Sequence, residues 1–258
     1  MSELIFLGSA GFAATKNRDN VSLILRCFQD LLLIDCPGSV FQKIKKLELD
    51  PVQLKVMLVT HIHPDHIYGL PSLIHSLMLD DCSIDLYGSE ASVQFCKDYL
   101  QMFNLLIEKI KCRINFKSLI PNQPFNPLPW LEGCAIKVPH HESSLAYLLR
   151  IKQEGKSLVY SGDTSLFPPV FEMASGVEYL IHDCSSTSRI FQQYPSLYKS
   201  HTNSLELGKM AEKAGVKCLI PCHFFGRENT SVPEIEKEIK KNFTRKLIMP
   251  DDFDRISL

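Results

Sequence analysis

The sequence predicts an α/β fold, and three observations carry that prediction. Short apolar runs recur along the chain, with stretches of helical spacing between them. Several of these runs end in His or Asp, as in Val59-Thr60-His61, Val138-Pro139-His140 and Ile220-Pro221-Cys222-His223. The chain is also long enough, at 258 residues with 45% hydrophobic and 22% charged content, to bury a sizeable core. Strands that finish in nitrogen and oxygen donors gather those donors along one edge of a sheet. Neither a helix stripe nor a solvated charge run would do so.

The elements follow in order. Leu4 to Leu7 reads as a strand ending at Gly8, and Gly8-Ser9-Ala10-Gly11 as a tight turn, since nothing like a phosphate-cradling G-x-x-x-x-G-K follows. Ser22 to Cys27 and Leu31 to Asp35 read as a hairpin turning at Gln29-Asp30. Pro37-Gly38-Ser39 opens a helix to about Leu47, with Ser39 as its N-cap. Lys55 to Val59 is a buried strand, Leu73 to Leu79 a helix and Ile84 to Tyr87 a strand. Ser89 starts a long helix in which Val93, Cys96, Leu100, Phe103, Ile107 and Ile110 form one stripe. A stripe of this kind faces the core; a lid or a homodimer contact is its other reading. Residues 120–133 carry four prolines and the only Trp, Trp130, and read as an extended loop. Strands follow at 135–138, 145–151, 157–160, 178–181 and 217–220. Helices span Leu205 to Ala214, stopped by Gly215, and Glu234 to Lys241.

Bulk properties exclude some classes of function. A net charge of −1 gives no global electrostatic reason to bind long nucleic acid or a membrane. No run approaches the roughly twenty apolar residues of a membrane span. Met1 to Gly8 lacks the charged and long apolar regions of a signal peptide. Nine cysteines, an odd number without a C-x-x-C pair, read as reduced thiols. The expectation is a single cytoplasmic domain over residues 1–258.

The densest chemistry lies in Thr60-His61-Ile62-His63-Pro64-Asp65-His66. Three imidazoles and a carboxylate at the end of a buried strand suit zinc, manganese or iron. His61 and His63, two apart, can turn toward one point; Asp65 and His66 can serve a second. This H-x-H-x-D-H spacing resembles the signature of the metallo-β-lactamase superfamily. The motif order from Phe6-Leu7-Gly8 to His223 resembles its ribonuclease Z and phosphodiesterase branch.

That resemblance implies a metallo-β-lactamase-like αβ/βα four-layer sandwich with two divalent metal ions per chain, zinc first, with manganese or iron as alternatives. By motif position, His61, His63 and His140 resemble the ligands of one metal and Asp65, His66 and His223 those of the other. Asp163, in Ser161-Gly162-Asp163-Thr164, resembles the carboxylate that bridges them. His141 competes with His140, and Tyr147, seven residues on, selects His140 under the resemblance. Asp35 is either a brace behind the metal loop or a strand-end turn residue. His201 resembles a histidine near the scissile phosphate; its other reading is a neighbour of the following helix N-terminus. His182-Asp183 stands where relatives orient their ligands with a His-Glu pair.

The implied activity is a metal-dependent hydrolase, foremost a phosphodiesterase in which a hydroxide shared by the two ions attacks a small phosphodiester or nucleotide-type substrate. Asp65 and His201 are the catalytic candidates. Ribonuclease Z-type tRNA 3′ cleavage and ester, thioester or lactone hydrolysis are the alternatives. Three departures bear on the choice. Pro64 replaces the usual Gly, His223 is followed by Phe224-Phe225-Gly226, and only 23 positions (163 − 140) separate His140 from Asp163. Ribonuclease Z inserts its tRNA-gripping arm in that interval, so no long nucleic acid partner is expected.

Overall fold

The computed structural model describes residues 2–226 and 231–258. The first half of the chain runs β1 (Glu3–Gly8), β2 (Ser22–Cys27), β3 (Asp30–Ile34), α1 (Val40–Lys46), β4 (Leu54–Leu58), α2 (Pro64–Ile67), α3 (Leu70–Ser76), β5 (Ser83–Gly88), α4 (Glu90–Met102) and β6 (Arg113–Ser118). The second runs β7 (Pro124–Leu128), β8 (Leu131–Lys137), β9 (Leu145–Ile151), β10 (Lys156–Tyr160), α5 (Pro168–Met173), β11 (Tyr179–Asp183), α6 (Ser188–Gln193), α7 (Ser204–Ala214), β12 (Cys218–Cys222), α8 (Val232–Ile239), β13 (Lys246–Leu247) and β14 (Arg255–Ser257). These strands form two seven-stranded sheets, ordered β14-β1-β2-β3-β4-β5-β6 and β13-β12-β11-β10-β9-β8-β7.

The four-layer arrangement follows from the period of two along each strand. In β1, Leu4 and Phe6 face a core shared with the second sheet, through Tyr147, Leu149 and Ile220. Ile5 and Leu7 face away, against Val40 and Ile44 of α1, and the same cluster reaches Cys96 and Leu100 of α4. On the far side, Val159, Leu180 and Leu219 pack on Phe171, Leu207, Ala211 and Ile235 of α5, α7 and α8. Strands buried on both faces read as continuous apolar runs, which is why they stood out in the sequence.

Strand direction places the site. β3, β4, β5 and β6 are parallel to one another, as are β10, β11, β12 and β13. Parallel strands end on the same edge. The two sheets are joined there by the Leu145 N–H donating to the Thr60 carbonyl (3.0 Å) and the buried Tyr147 hydroxyl donating to the Val59 carbonyl (2.7 Å). Tyr147 is therefore a strut between the sheets.

Several expectations need correction. The helix from Ser89 stops at Met102; Phe103 and Ile107 are 55% and 39% exposed, and the stripe that faces the core is Val93, Cys96 and Leu100. Residues 120–133 are not one loop but contain β7 and the start of β8, which pair antiparallel. Pro124 and Pro127 fit because β7 is the sheet edge, where missing N–H donors go unpaired. Trp130 is an anchor there: it is buried, and its indole N–H donates to Asp30 Oδ2 at 3.0 Å. Ser39 does precede α1, but it has φ 63° and its side chain makes no capping bond.

Candidate metal centre

Asp35 leaves β3 with φ 60°, directing its carboxylate beneath the loop after β4. Oδ1 accepts the Thr60 N–H (2.7 Å), and Oδ2 accepts the Thr60 hydroxyl (2.8 Å) and His66 Nδ1 (2.8 Å). It is the brace. Pro64 opens α2 at its first turn, where a missing N–H costs nothing. That short helix lifts Asp65 and His66 into place one turn beyond His61 and His63.

The second sheet supplies the rest. His140 follows β8, Asp163 follows β10, Asp183 ends β11 and His223 follows β12. His140 Nδ1 donates to the Ser200 carbonyl (2.9 Å), freeing Nε2 for the centre. His141 turns instead to the Ser143 hydroxyl (2.9 Å) and belongs to none of the donor groups, whereas His140 lies in the group with His61 and His63. His223 has φ 64°, an arrangement worth about 1–3 kcal/mol of strain for a non-glycine residue and one that clusters at functional sites.

All seven residues expected from the motifs come together. His61, His63 and His140 form one group; Asp65, His66, Asp163 and His223 form another. Asp163 Oδ2 lies between them, 3.9 Å from His61 Nε2, 3.7 Å from His140 Nε2, 3.3 Å from His66 Nε2 and 2.9 Å from His223 Nε2. His63 Nδ1 stands 3.0 Å from both His61 Nε2 and His140 Nε2.

These residues fit metal ions. Nε2 of His66, Nε2 of His223 and Oδ1 of Asp163 are buried without an aligned hydrogen-bond partner, despite the short separations around Asp163. Buried polar atoms are normally satisfied. Donors that converge on shared points rather than on one another are what a cation requires, and imidazole with carboxylate suits zinc, manganese or iron. The electrostatics differ between the two groups: the buried negative charge of Asp163 favours a positive charge at His66 and His223, one that a bound cation would supply in place of the protons. Burial alone would lower His66, but the charges of Asp163 and Asp35 overcome it and push it up to about 10. Burial likewise opposes the charged form of His223, and Asp163 again raises it. Asp163 is held well below the usual carboxylate range: burial works the other way, and His223 and His66 outweigh it. His61, His63 and His140 are lowered, first by burial, which keeps imidazole in the neutral form that ligates.

His201 sits beside this centre. Its ring stacks on His223 (5.3 Å between centroids, 16°), and its Nδ1 donates to Asp183 Oδ2 at 2.9 Å. Asp183 Oδ1 lies 3.7 Å from His223 Nδ1, and its Oδ2 also accepts the Thr164 N–H. Asp183 thus holds His201 by a hydrogen bond and sets its charge beside His223, a role that its place in the sequence indicated only as half of a pair. His182 does not share it: the ring stacks on Phe171 in the core under α5, and Nδ1 donates to the Asp183 carbonyl. Alternation along β11 forces this, because adjacent residues face opposite sides.

A family model described as Anti-Pycsar protein Apyc1 matches residues 2–212. The chain belongs to that family. Ribonuclease Z of Pyrococcus horikoshii is 25% identical over 303 aligned residues, covering 100% of this chain and 96% of the relative. The metallo-β-lactamase fold protein YhfI of Bacillus subtilis superposes with a TM-score of 0.83 at 20% identity, over 99% of this chain and 98% of the other. Human tRNase Z, short form, superposes with a TM-score of 0.79 at 18% identity, over 99% and 98%. The Apyc1-family chain is thus a metal-dependent hydrolase with the metallo-β-lactamase fold, and its ribonuclease Z likeness extends beyond the motifs to the whole chain. Among the described residues, no helix is long and apolar enough to cross a membrane.

Proposed function

We propose that this chain is a phosphodiesterase acting on a small or nucleotide-type phosphodiester with two divalent ions, zinc foremost. The observation that carries this reading is Asp163 Oδ2 standing within 3.9 Å of imidazole nitrogens from both donor groups. In this assignment His61, His63 and His140 would hold one ion, Asp65, His66 and His223 the other, and Asp163 would be available to both. Bound ions supply Lewis acidity and a water acidified toward neutrality.

The chain's own groups do the rest. Asp65 Oδ2, 3.5 Å from His223 Nε2, joins the second group and orients the attacking water. Asp183 accepts the Nδ1 proton of His201 and fixes its tautomer, leaving Nε2 to contact a phosphoryl oxygen or to pass a proton to the departing alkoxide. Asp35 holds His66 and Thr60, and so the loop that carries His61 and His63.

A small substrate is favoured by the interval between His140 and Asp163. It holds the β9–β10 hairpin, in which only residues 152–155 join the strands. The likeness to ribonuclease Z across the full chain favours a second reading, tRNA 3′ cleavage. Elemental analysis, run beside hydrolysis of bis(p-nitrophenyl) phosphate and of a precursor tRNA, tests both. About two metals per chain with diester turnover supports the proposal. Cleavage of the RNA alone favours the second reading. Metals without either activity point to ester, thioester or lactone hydrolysis, and no metal uptake refutes the ligand assignment.

A further inference from the structure

Between β11 and α7 the chain makes an excursion through α6 and a short 3₁₀ turn at Pro195–Lys199. It brings two groups back to the metal centre: the Ser200 carbonyl, which accepts His140 Nδ1 at 2.9 Å, and His201 itself. The outgoing and returning stretches run side by side. Ser185 N–H donates to the Thr202 carbonyl (3.1 Å), Ser204 N–H donates to the Ser186 carbonyl (3.0 Å), and Ser186 bridges Asn203. Asp183 and His201 stand at one end of this short ladder. Ser188 and Ser204, the first residues of α6 and α7, stand at the other.

One carboxylate from α8 holds that second end. Glu238 Oε2 accepts the Ser188 N–H (2.8 Å) and the Ser204 hydroxyl (2.5 Å), and Oε1 accepts the Ser188 hydroxyl (2.7 Å). Burial works to raise its pKa, but the hydrogen bonds from Ser188 and Ser204 outweigh it and hold the carboxyl below its ordinary value. Thr187, the N-cap of α6, makes no side-chain capping bond, so Glu238 serves the first N–H of that helix instead. α8 is itself firmly seated. Ile235 and Ile239 are fully buried, and Gly208 of α7 comes so close that a Cβ there would lie 2.6 Å from the Ile239 carbonyl.

A tie that only capped α6 would need Ser188 alone. Glu238 grips both feet of the excursion, and the two stretches it joins carry Asp183 and His201. We infer that Glu238 is a positioning residue for His201: by closing the base of residues 188–204 it sets that ring against Asp183 at the metal centre. This role rests on the phosphodiesterase reading and deepens it, since a shift of about 1 Å in a positioned group can cost about 10²-fold in rate.

Zinc-loaded wild type, Glu238→Ala and Glu238→Gln are compared by proton NMR and by hydrolysis of bis(p-nitrophenyl) phosphate at saturating zinc. Glutamine can keep all three bonds, because its oxygen still accepts from Ser188 N–H and Ser204 while its amide donates to the Ser188 hydroxyl. The downfield Nδ1 proton that His201→Ala removes should be present in wild type and in Glu238→Gln, and lost to exchange with water in Glu238→Ala. Glu238→Ala should lose about 10–100-fold in kcat with KM and zinc content held, and Glu238→Gln should restore it. Added to His201→Ala, Glu238→Ala should cost little more, because it acts through that histidine. Ser204→Ala, which frees one foot, should give a smaller loss in the same direction and decides the matter if Glu238→Ala fails to fold. Absence of the His201 proton from wild type, its persistence in Glu238→Ala, or a full further loss of kcat in the His201→Ala background overturns the assignment. If wild type cleaves no diester, the catalytic reading of His201 fails, and the proton signal alone decides whether Glu238 positions the ring.

Discussion

His66 Nδ1 lies 2.8 Å from Asp35 Oδ2, and neither residue is exposed to solvent. The pair explains why a carboxylate stands at the end of β3, separated along the chain from the histidine loop by α1 and β4. Burial pushes the Asp35 carboxyl upward, and His66 and Thr60 offset only part of that cost. Asp35→Ala would leave the Thr60 N–H, the Thr60 hydroxyl and His66 Nδ1 without their acceptor. Breaking a buried pair costs about 3–5 kcal/mol, and losing a group that orients a ligand lowers metal affinity about 10–100-fold. Asp35→Asn should fall between, since its amide can still accept from Thr60 but presents N–H groups to His66. Metal titration beside thermal denaturation would show it. An Asp35→Ala protein with wild-type metal affinity would mean that the loop is held by other contacts.

His201 should separate metal binding from turnover. It is not among the seven proposed ligands, yet it stacks on one of them and is fixed by Asp183. His201→Ala is expected to retain its metal complement and lose about 10²–10⁴-fold in kcat, the range for a positioned acid or base. His63→Ala should lose metal and activity together. Full activity in His201→Ala would return that histidine to a bystander beside the helix N-terminus.

How much was visible beforehand depends on the kind of information each residue carries. The seven proposed ligands were legible because each terminates an apolar strand, and strand ends are set by local pattern. Tyr147 favoured His140 over His141 only under the resemblance; in the fold it is a strut between the sheets, which no local pattern encodes. Strand β6 hid behind its polar composition, since Arg113-Ile114-Asn115-Phe116-Lys117-Ser118 belongs to an edge with much of its surface in water. β14 is three residues long and exists only by pairing with β1, some 250 positions away (Leu4 with Ile256). The contact between the loop after β1 and the segment after β12 joins two stretches that the sequence keeps apart; Gly11 was read only as a turn residue and Gly226 only as part of the run after His223.

Glu178 gives a stability prediction with a defined pH window. Its carboxylate accepts the Ser157 N–H and hydroxyl (3.0 and 2.8 Å) and the Lys217 ammonium (2.7 Å), tying together the starts of β10, β11 and β12. Burial works to raise its pKa, but the Lys217 and Ser157 hydrogen bonds prevail and pull it from 4.5 down to about 2. Because the folded value is depressed, the stabilisation is complete above the unfolded value of 4.5 and disappears as pH falls through about 2. Lys217 is largely exposed, so solvent screening limits the gain to about 1 kcal/mol. Glu178→Gln should therefore melt lower than wild type at pH 7 and converge with it toward pH 2. A constant gap across that range would show that the charge is not what stabilises.

Gly11 is the most severe single test of how the loop after β1 serves the centre. Its φ is outside the left-handed region, so alanine is conformationally admissible there, and only the space matters. A Cβ would lie 2.9 Å from Cε1 and 3.0 Å from Nδ1 of His223. Contacts that short force the ring or the loop to move, and overpacking of this kind costs about 1–3 kcal/mol. The His223 backbone is already strained and its ring is enclosed, so the displacement falls on the proposed ligand position itself. Gly11→Ala is expected to fold, to melt several degrees lower, and to lose metal chiefly from the Asp65, His66, Asp163 and His223 group. Elemental analysis should then approach one metal per chain where wild type holds about two. Retention of both at wild-type affinity would mean that the loop yields instead of the histidine, and that the close approach of Gly11 serves packing alone.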